Sequence, residues 1–180
     1  REFSACYNLK GFSKRPGILQ FENDIKEFVE QGGTSFHISE ELWHNPLDLE
    51  AGMGQNQLNV LRKGWDLILD IDCVCFEYSK FTAHLLVEAL KFNDVGSISL
   101  KFSGNKGMHI GVPFKSFPGE IDGQKIEHIF PEGARTIAKY LEEMIKDALS
   151  AKILENDSVS AIELKSGKKK EYKKKFLQKL

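Results

Sequence analysis

Trp65-Asp66-Leu67-Ile68-Leu69-Asp70-Ile71-Asp72 decides how this chain is read. Its apolar residues run almost continuously from Trp65 to Ile71, broken by Asp66 and Asp70, which is the pattern of a buried strand. Side chains two apart on a strand share a face, so Asp70 and Asp72 project together while Leu69 and Ile71 anchor the opposite face. Asp66 has the same parity and is read as a structural residue near the strand start. Two ionised carboxylates held this way repel each other until a cation or a proton relieves them. Mg²⁺ or Mn²⁺ suits such hard oxygen ligands and keeps positions free for phosphate oxygens. The plain alternative is a strand end running into solvent, where acids are common.

A second stretch, Ser103-Gly104-Asn105-Lys106-Gly107-Met108-His109, falls between two further strands expected at Gly96–Phe102 and Met108–Val112. Gly104 and Gly107 permit backbone conformations closed to other residues and let a phosphate approach main-chain N–H groups. Ser103 adds a hydroxyl, Lys106 a compact positive charge, and His109 a ring N–H at the start of the next strand. The alternative is a hairpin whose glycines serve only the turn. Acids on one strand and phosphate donors beside them form a two-carboxylate metal site facing an anion cradle. That arrangement suits in-line nucleotidyl transfer.

Around these stretches the pattern gives an α/β (α+β) chain. A helix is expected over Glu22–Gln31, stopped by Gly32-Gly33, and a strand over Thr34–Ile38. Ser39 offers an N-cap to a helix through Glu40-Glu41-Leu42-Trp43. Glu50–Gln57, with Gly52 and Gly54, reads as a loop. Ser79–Phe92 and Gly133–Ala148 are amphipathic helices, and Pro113, Pro118 and Pro131 bracket an irregular segment. The order strand, helix, strand, tight turn, strand predicts an open sheet with helices on at least one face.

Composition bounds the rest. A hydrophobic fraction of 41% and a charged fraction of 28% describe a globular protein with a core. The formal net charge is −1, but residues 165–180 hold eight lysines and one glutamate, a local +7, which leaves the first 164 residues near −8. That lysine-rich tail could track a phosphate backbone, although a charge run is usually a solvated face. No apolar run approaches the ~18 residues of a membrane span, so no membrane partner is expected. Three cysteines, Cys6, Cys73 and Cys75, make no disulfide framework, and a cytoplasmic, prokaryotic-type intracellular setting is expected. Cys73 and Cys75 with His84 could hold zinc but read better as small residues near the strand end. Trp43 and His44 could stack on a base, though packing is the simpler role. Arg15 beside Pro16-Gly17 could touch nucleic acid or sit on a solvated turn. His37 and His128 show no convergent partners.

Taken together, Leu67–Asp72 and Ser103–His109 resemble the catalytic small subunit of the archaeo-eukaryotic primases. That family has a hydrophobic strand ending in Asp-x-Asp and then a Ser-Gly-x-Arg/Lys-Gly-x-His turn. Arg1-Glu2-Phe3 is similar to the family's Arg-Glu-Phe, and Ser35-Phe36-His37-Ile38-Ser39 to a strand of its upstream part. The likeness covers roughly residues 1–150. It implies an RRM-like catalytic unit at about 63–150 packed on an N-terminal α/β unit at about 1–62. It also implies Asp70 and Asp72 as metal ligands, and Ser103, Gly104, Asn105, Lys106, Gly107 and His109 as the nucleotide-binding turn, with His109 among the catalytic residues.

The implied activity is metal-dependent synthesis of short primers from nucleoside triphosphates on a single-stranded DNA template, beside a large primase subunit or a helicase. A gap-filling or end-joining polymerase, or a non-catalytic nucleotide- or nucleic-acid-binding domain of a replication complex, stays open. Three departures stand out. The family's third acid has no clear match, with Asp157 and Glu163 the acids at hand. Cys73 and Cys75 are too few for its zinc knuckle. Gly111 and Pro113 follow where a second histidine is common.

Overall fold

The computed structural model describes residues 1–7, 11–104 and 106–165. Asn105 and all of the lysine-rich tail except Lys165 lie outside these described residues. Helices and small sheets mix in an α+β fold. In chain order the elements are β1 (Phe3–Cys6), α1 (Asp24–Glu30), β2 (Ser35–Ile38), β3 (Glu41–Trp43), α2 (Gln55–Leu61), β4 (Arg62–Trp65), β5 (Leu67–Asp72) and α3 (Phe76–Phe92). There follow β6 (Ser99–Phe102), β7 (Gly107–Val112), β8 (Glu120–Ile121), β9 (Gln124–Lys125), α4 (Glu132–Asn156) and α5 (Val159–Lys165). No helix among the described residues is long and apolar enough to cross a membrane.

Two compact units divide the chain: Arg1–Leu67 with Pro113–Gly133, and Ile68–Val112 with Ala134–Leu180. The segment bracketed by prolines therefore returns to the first unit. It is not wholly irregular, because β8 and β9 pair across Asp122 (φ 50°) and Gly123 (φ 77°), and an Asp-Gly pair suits that left-handed turn.

In the first unit β1 pairs antiparallel with β2, Phe3 opposite Ile38. Phe3 packs its ring on Phe28 of α1 at 5.1 Å and on Phe36 of β2 at 5.9 Å. The helix expected at Glu40–Trp43 is instead β3, paired antiparallel with β4. Ser39 does not cap a helix: its hydroxyl accepts from the Glu2 N–H at 3.0 Å and donates to the Glu41 carbonyl at 2.8 Å. The expected loop gives way to α2 from Gln55. The Gln57 side chain accepts the Gly54 N–H at 2.9 Å there, satisfying a donor at the helix start.

Trp65, fully buried, donates its indole N–H to the Ile126 carbonyl at 2.8 Å and packs against the rings of Phe117 and Phe130. Buried Arg62 forks onto Glu41 at 2.8 and 3.0 Å and lies over the rings of Trp43 and Phe130. Trp43 is thus buried in this cluster and is no exposed stacking surface.

The single strand expected from Trp65 to Ile71 is broken at Asp66 into β4 and β5. Asp66 supplies the reason. Its N–H donates to the Glu40 carbonyl at 3.0 Å, and its carboxylate accepts the Phe114 N–H at 2.9 Å and pairs with Arg1. That confirms it as a structural residue.

In the second unit, β5, β7 and β6 form one sheet in that order, and β6 and β7 are an antiparallel hairpin. Buried Leu67, Leu69 and Ile71 alternate along β5 with exposed Ile68, Asp70 and Asp72. On α3, Tyr78, Ser79, Ala83, Leu86, Ala89 and Leu90 are buried, and the helix packs on β7. α4 extends well past the expected Ala148, with Leu141 and Ile145 as its buried residues. Its Tyr140 hydroxyl reaches Asn93 at the end of α3 at 3.4 Å.

Candidate functional site

The outer face of the β5-β7-β6 sheet collects most of the residues singled out by the sequence. Asp70 and Asp72 project from β5 with the buried set on the reverse. On β7, the parity that places Ile110 and Val112 in the core turns His109 and Gly111 outward, while Gly107 is itself buried. The His109 Nε2 lies 3.3 Å from Asp70 Oδ1, so the register of β7 against β5 brings an imidazole to the acid pair. Asp70 keeps 68% of its side chain exposed and His109 30%, which leaves both open to a ligand. Asp72 has no hydrogen-bond or ion-pair partner among the described residues.

The turn is built from inside. Gly104 sits at φ +98°, a conformation that a Cβ would strain. The Ser103 N–H donates to the Gly107 carbonyl at 3.0 Å, and the Ser103 hydroxyl accepts the Gly107 N–H at 3.1 Å, which leaves the hydroxyl proton free to donate outward. Gly107 therefore does not offer its N–H to an anion. It is glycine for a packing reason, since a Cβ there would fall 2.6 Å from the Ile71 carbonyl oxygen of β5. The Lys106 carbonyl accepts the hydroxyl of Ser79, a fully buried residue of α3, at 2.9 Å. The Lys106 ammonium has no partner among the described residues.

Two residues were not picked out by sequence. Ser79 reads as an unremarkable helix serine, yet it ties the turn to α3. Lys101 lies directly opposite His109 in the β6–β7 register, on the outer face and exposed, with no partner among the described residues. Only the register could have found it, because nothing local marks one lysine among many.

Towards its other side β5 is the end strand of the sheet, and a groove of about 530 Å³ borders Asp70 and Asp72. Glu142, Ile145 and Lys146 of α4 line the same groove. A third ligand does not join the pair, since no group of three or more His, Cys, Asp or Glu side chains converges on a metal position among the described residues. Asp157 is committed elsewhere. It accepts the Tyr78 hydroxyl at 2.9 Å, and Lys165 pairs with both its oxygens at 2.7 Å. Lys165 first, then Tyr78, holds the Asp157 carboxyl below its ordinary value. Glu163 lies on α5.

Cys73 and Cys75 are free and half-buried, and His84 is exposed. His37 is held by Ser35 at 3.0 Å, and Arg15 forks onto Glu2 at 2.7 and 2.8 Å. No family model matches the chain, and neither a curated protein nor a solved structure matches it.

Proposed function

We propose that this chain is a primase-type nucleotidyl transferase domain that joins nucleotides on a single-stranded DNA template. One observation carries the reading: an outward, exposed pair of carboxylates on β5, Asp72 without a partner among the described residues and Asp70 3.3 Å from His109 of the neighbouring strand. The order β5-α3-β6-β7-α4, with β5 beside β7, supports an RRM-like unit, because it reproduces the first five elements of a split β-α-β-β-α-β motif.

The donor set fits Mg²⁺ or Mn²⁺ arriving with a nucleotide. Mg²⁺ is commonly held by one or two carboxylates plus substrate phosphates, and Asp70 and Asp72 supply those carboxylates. It does not fit a metal caged by protein alone. When bound, the ion lowers the pKa of the attacking hydroxyl and neutralises phosphate charge. Ser103, Lys106, His109 and Lys101 then orient the triphosphate: a hydroxyl, two ammonium groups and a ring N–H. Ser79 keeps the turn in place. Hydrogen bonds from Ser79 to Lys106 and between Ser103 and Gly107 position these groups, and placement is most of what phosphoryl transfer asks of a protein.

A non-catalytic nucleotide-binding domain is the second reading, favoured by the lack of a third convergent ligand among the described residues. Incubation with a single-stranded template, nucleoside triphosphates and Mn²⁺ separates the readings. Products without a primer are expected. Extension only of a supplied primer would indicate a polymerase, and nucleotide binding without products the binding domain. Replacing Asp70 and Asp72 by Ala is expected to cut incorporation at least ~10³-fold, the several kcal/mol that metal-bound charge stabilisation supplies. Undiminished incorporation would remove both acids from the reaction.

A further inference from the structure

We propose that the nucleoside of the incoming triphosphate lies on the same outer sheet face, over Ile68 of β5, Gly111 of β7 and Ser99 of β6, and that this floor holds every base alike. The inference deepens the carboxylate reading and rests on it. Its first support is the division of the face into rows. The β6–β7 register sets Lys101 opposite His109 and Ser99 opposite Gly111. β5 extends both rows, since Asp70 reaches His109 at 3.3 Å and a Cβ on Gly111 would fall 3.5 Å from the Ile68 Cδ1. One row is therefore Asp70, His109 and Lys101, all able to carry charge. The next is Ile68, Gly111 and Ser99, none of which ionises.

The phosphate donors fix which way a ligand runs. Ser103 and Lys106 lie in the turn between β6 and β7, beyond the charged row. The Asp72 end of β5 lies at that turn too, where Gly107 closely approaches the Ile71 carbonyl. A triphosphate held there fills the turn end of the face. Lys101, Ser103, Lys106 and His109 all belong to β6, β7 or their turn, which draws the ligand over β7 and away from the open edge of β5. Its nucleoside then runs along β7 away from the turn. The uncharged row stands two residues further along the strands, about 7 Å on, a distance that a sugar spans.

That row is shaped as a floor. Gly111 presents bare backbone, and the Ser99 hydroxyl lies close over it, donating to the Gly111 carbonyl at 3.2 Å. The serine proton is thereby spent within the sheet. A side chain at position 111 would start 2.7 Å from the Ser99 Oγ and rise into the space above. Ile68 is 41% exposed although both its neighbours in β5 are buried, so it offers an apolar surface where charged side chains stop. An aliphatic side chain and a bare glycine read no base edge, and every base has a face to lay on them. Base choice is then left to a template.

The test is titration calorimetry of the 180-residue chain with Mn²⁺ and ATP, set against Mn²⁺ and inorganic tripolyphosphate, which has the phosphates and no nucleoside. Ile68→Ala should weaken ATP roughly 5-fold and Gly111→Val roughly 10-fold, both leaving tripolyphosphate within about twofold of the parent. GTP, CTP and UTP should bind the parent within roughly threefold of ATP. The Asp70→Ala/Asp72→Ala variant should lose both ligands. Retained tripolyphosphate binding shows that a variant is folded. If Ile68→Ala and Gly111→Val both bind ATP as the parent does, or lose tripolyphosphate in equal measure, the nucleoside lies elsewhere and this inference alone is overturned. A parent that binds neither ligand would overturn the carboxylate reading with it.

Discussion

Asp66 and the Asp70–Asp72 pair leave one run of sequence on the same parity and meet opposite ends. In the first unit, Asp66 is used up by its own protein, with the Phe114 N–H on one oxygen and Arg1 on the other. In the second unit, Asp72 has no partner among the described residues and Asp70 meets His109. A carboxylate whose lone pairs are filled from within holds a fold together, because removing it strands buried donors. A carboxylate left open contributes little to the fold and stays available to a ligand. Asp157, clasped by Lys165 and Tyr78, belongs with Asp66.

The sharpest way to break this contrast is to remove each side of it and measure stability. Asp66→Ala should cost about 2 kcal/mol in urea unfolding, since a charged hydrogen bond is worth ~1.5–3 kcal/mol and the Phe114 N–H loses its partner, while Arg1 keeps the Ser39 and Glu40 carbonyls. The Asp70→Ala/Asp72→Ala variant should stay within ~0.5 kcal/mol of the parent or gain slightly, as exposed substitutions do. Equal losses from the two would end the distinction.

Gly107→Ala tests the contrast through the backbone that carries the open pair. Its Cβ would sit 2.6 Å from the Ile71 carbonyl, so β5 and β7 must part. A loss of about 2 kcal/mol is expected from the forced shift. Nucleotide incorporation per folded molecule should fall with it, because His109 moves away from Asp70. Unchanged stability would show that the strands yield freely.

The smallest effect concerns pH. Lys165 and Tyr78 depress the Asp157 carboxyl below its ordinary 3.8. The resulting stabilisation is fully present above the unfolded value and is lost as pH falls through the lower folded one. Asp157→Asn should therefore flatten the acid limb of the stability curve below about pH 4, followed by urea midpoints. An acid limb as steep as the parent's would mean that other carboxylates dominate it.

Some of this was legible beforehand. The alternation along Leu67–Asp72 predicts which side chains point outward, and the spacing on α3 and α4 predicts helices there. Glu40–Trp43 misled because Ser39 is as good a hydrogen-bonding partner for a strand entry as for a helix. The pairing of Leu42 with Gly64, 22 residues on, made the choice. α2 was missed because Gln55-Asn56-Gln57 shows no apolar face. Gly107 looked like a phosphate contact because glycine marks both a loose backbone and a tight approach, and sequence does not distinguish them.

Local chemistry in the sequence settled that two acids share a face, that a glycine turn precedes a histidine, and that strand, helix and hairpin follow one another. Those follow from the two-residue period of a strand and the conformations open to glycine. Only the tertiary structure decided that β7 lies beside β5, which brings His109 to Asp70 and sets Lys101 across from it. It alone also filled Asp66 and left Asp72 empty. Partners far apart in the chain meet only when the strands choose their neighbours, and that choice rests on the summed burial of a whole core, which no short stretch contains.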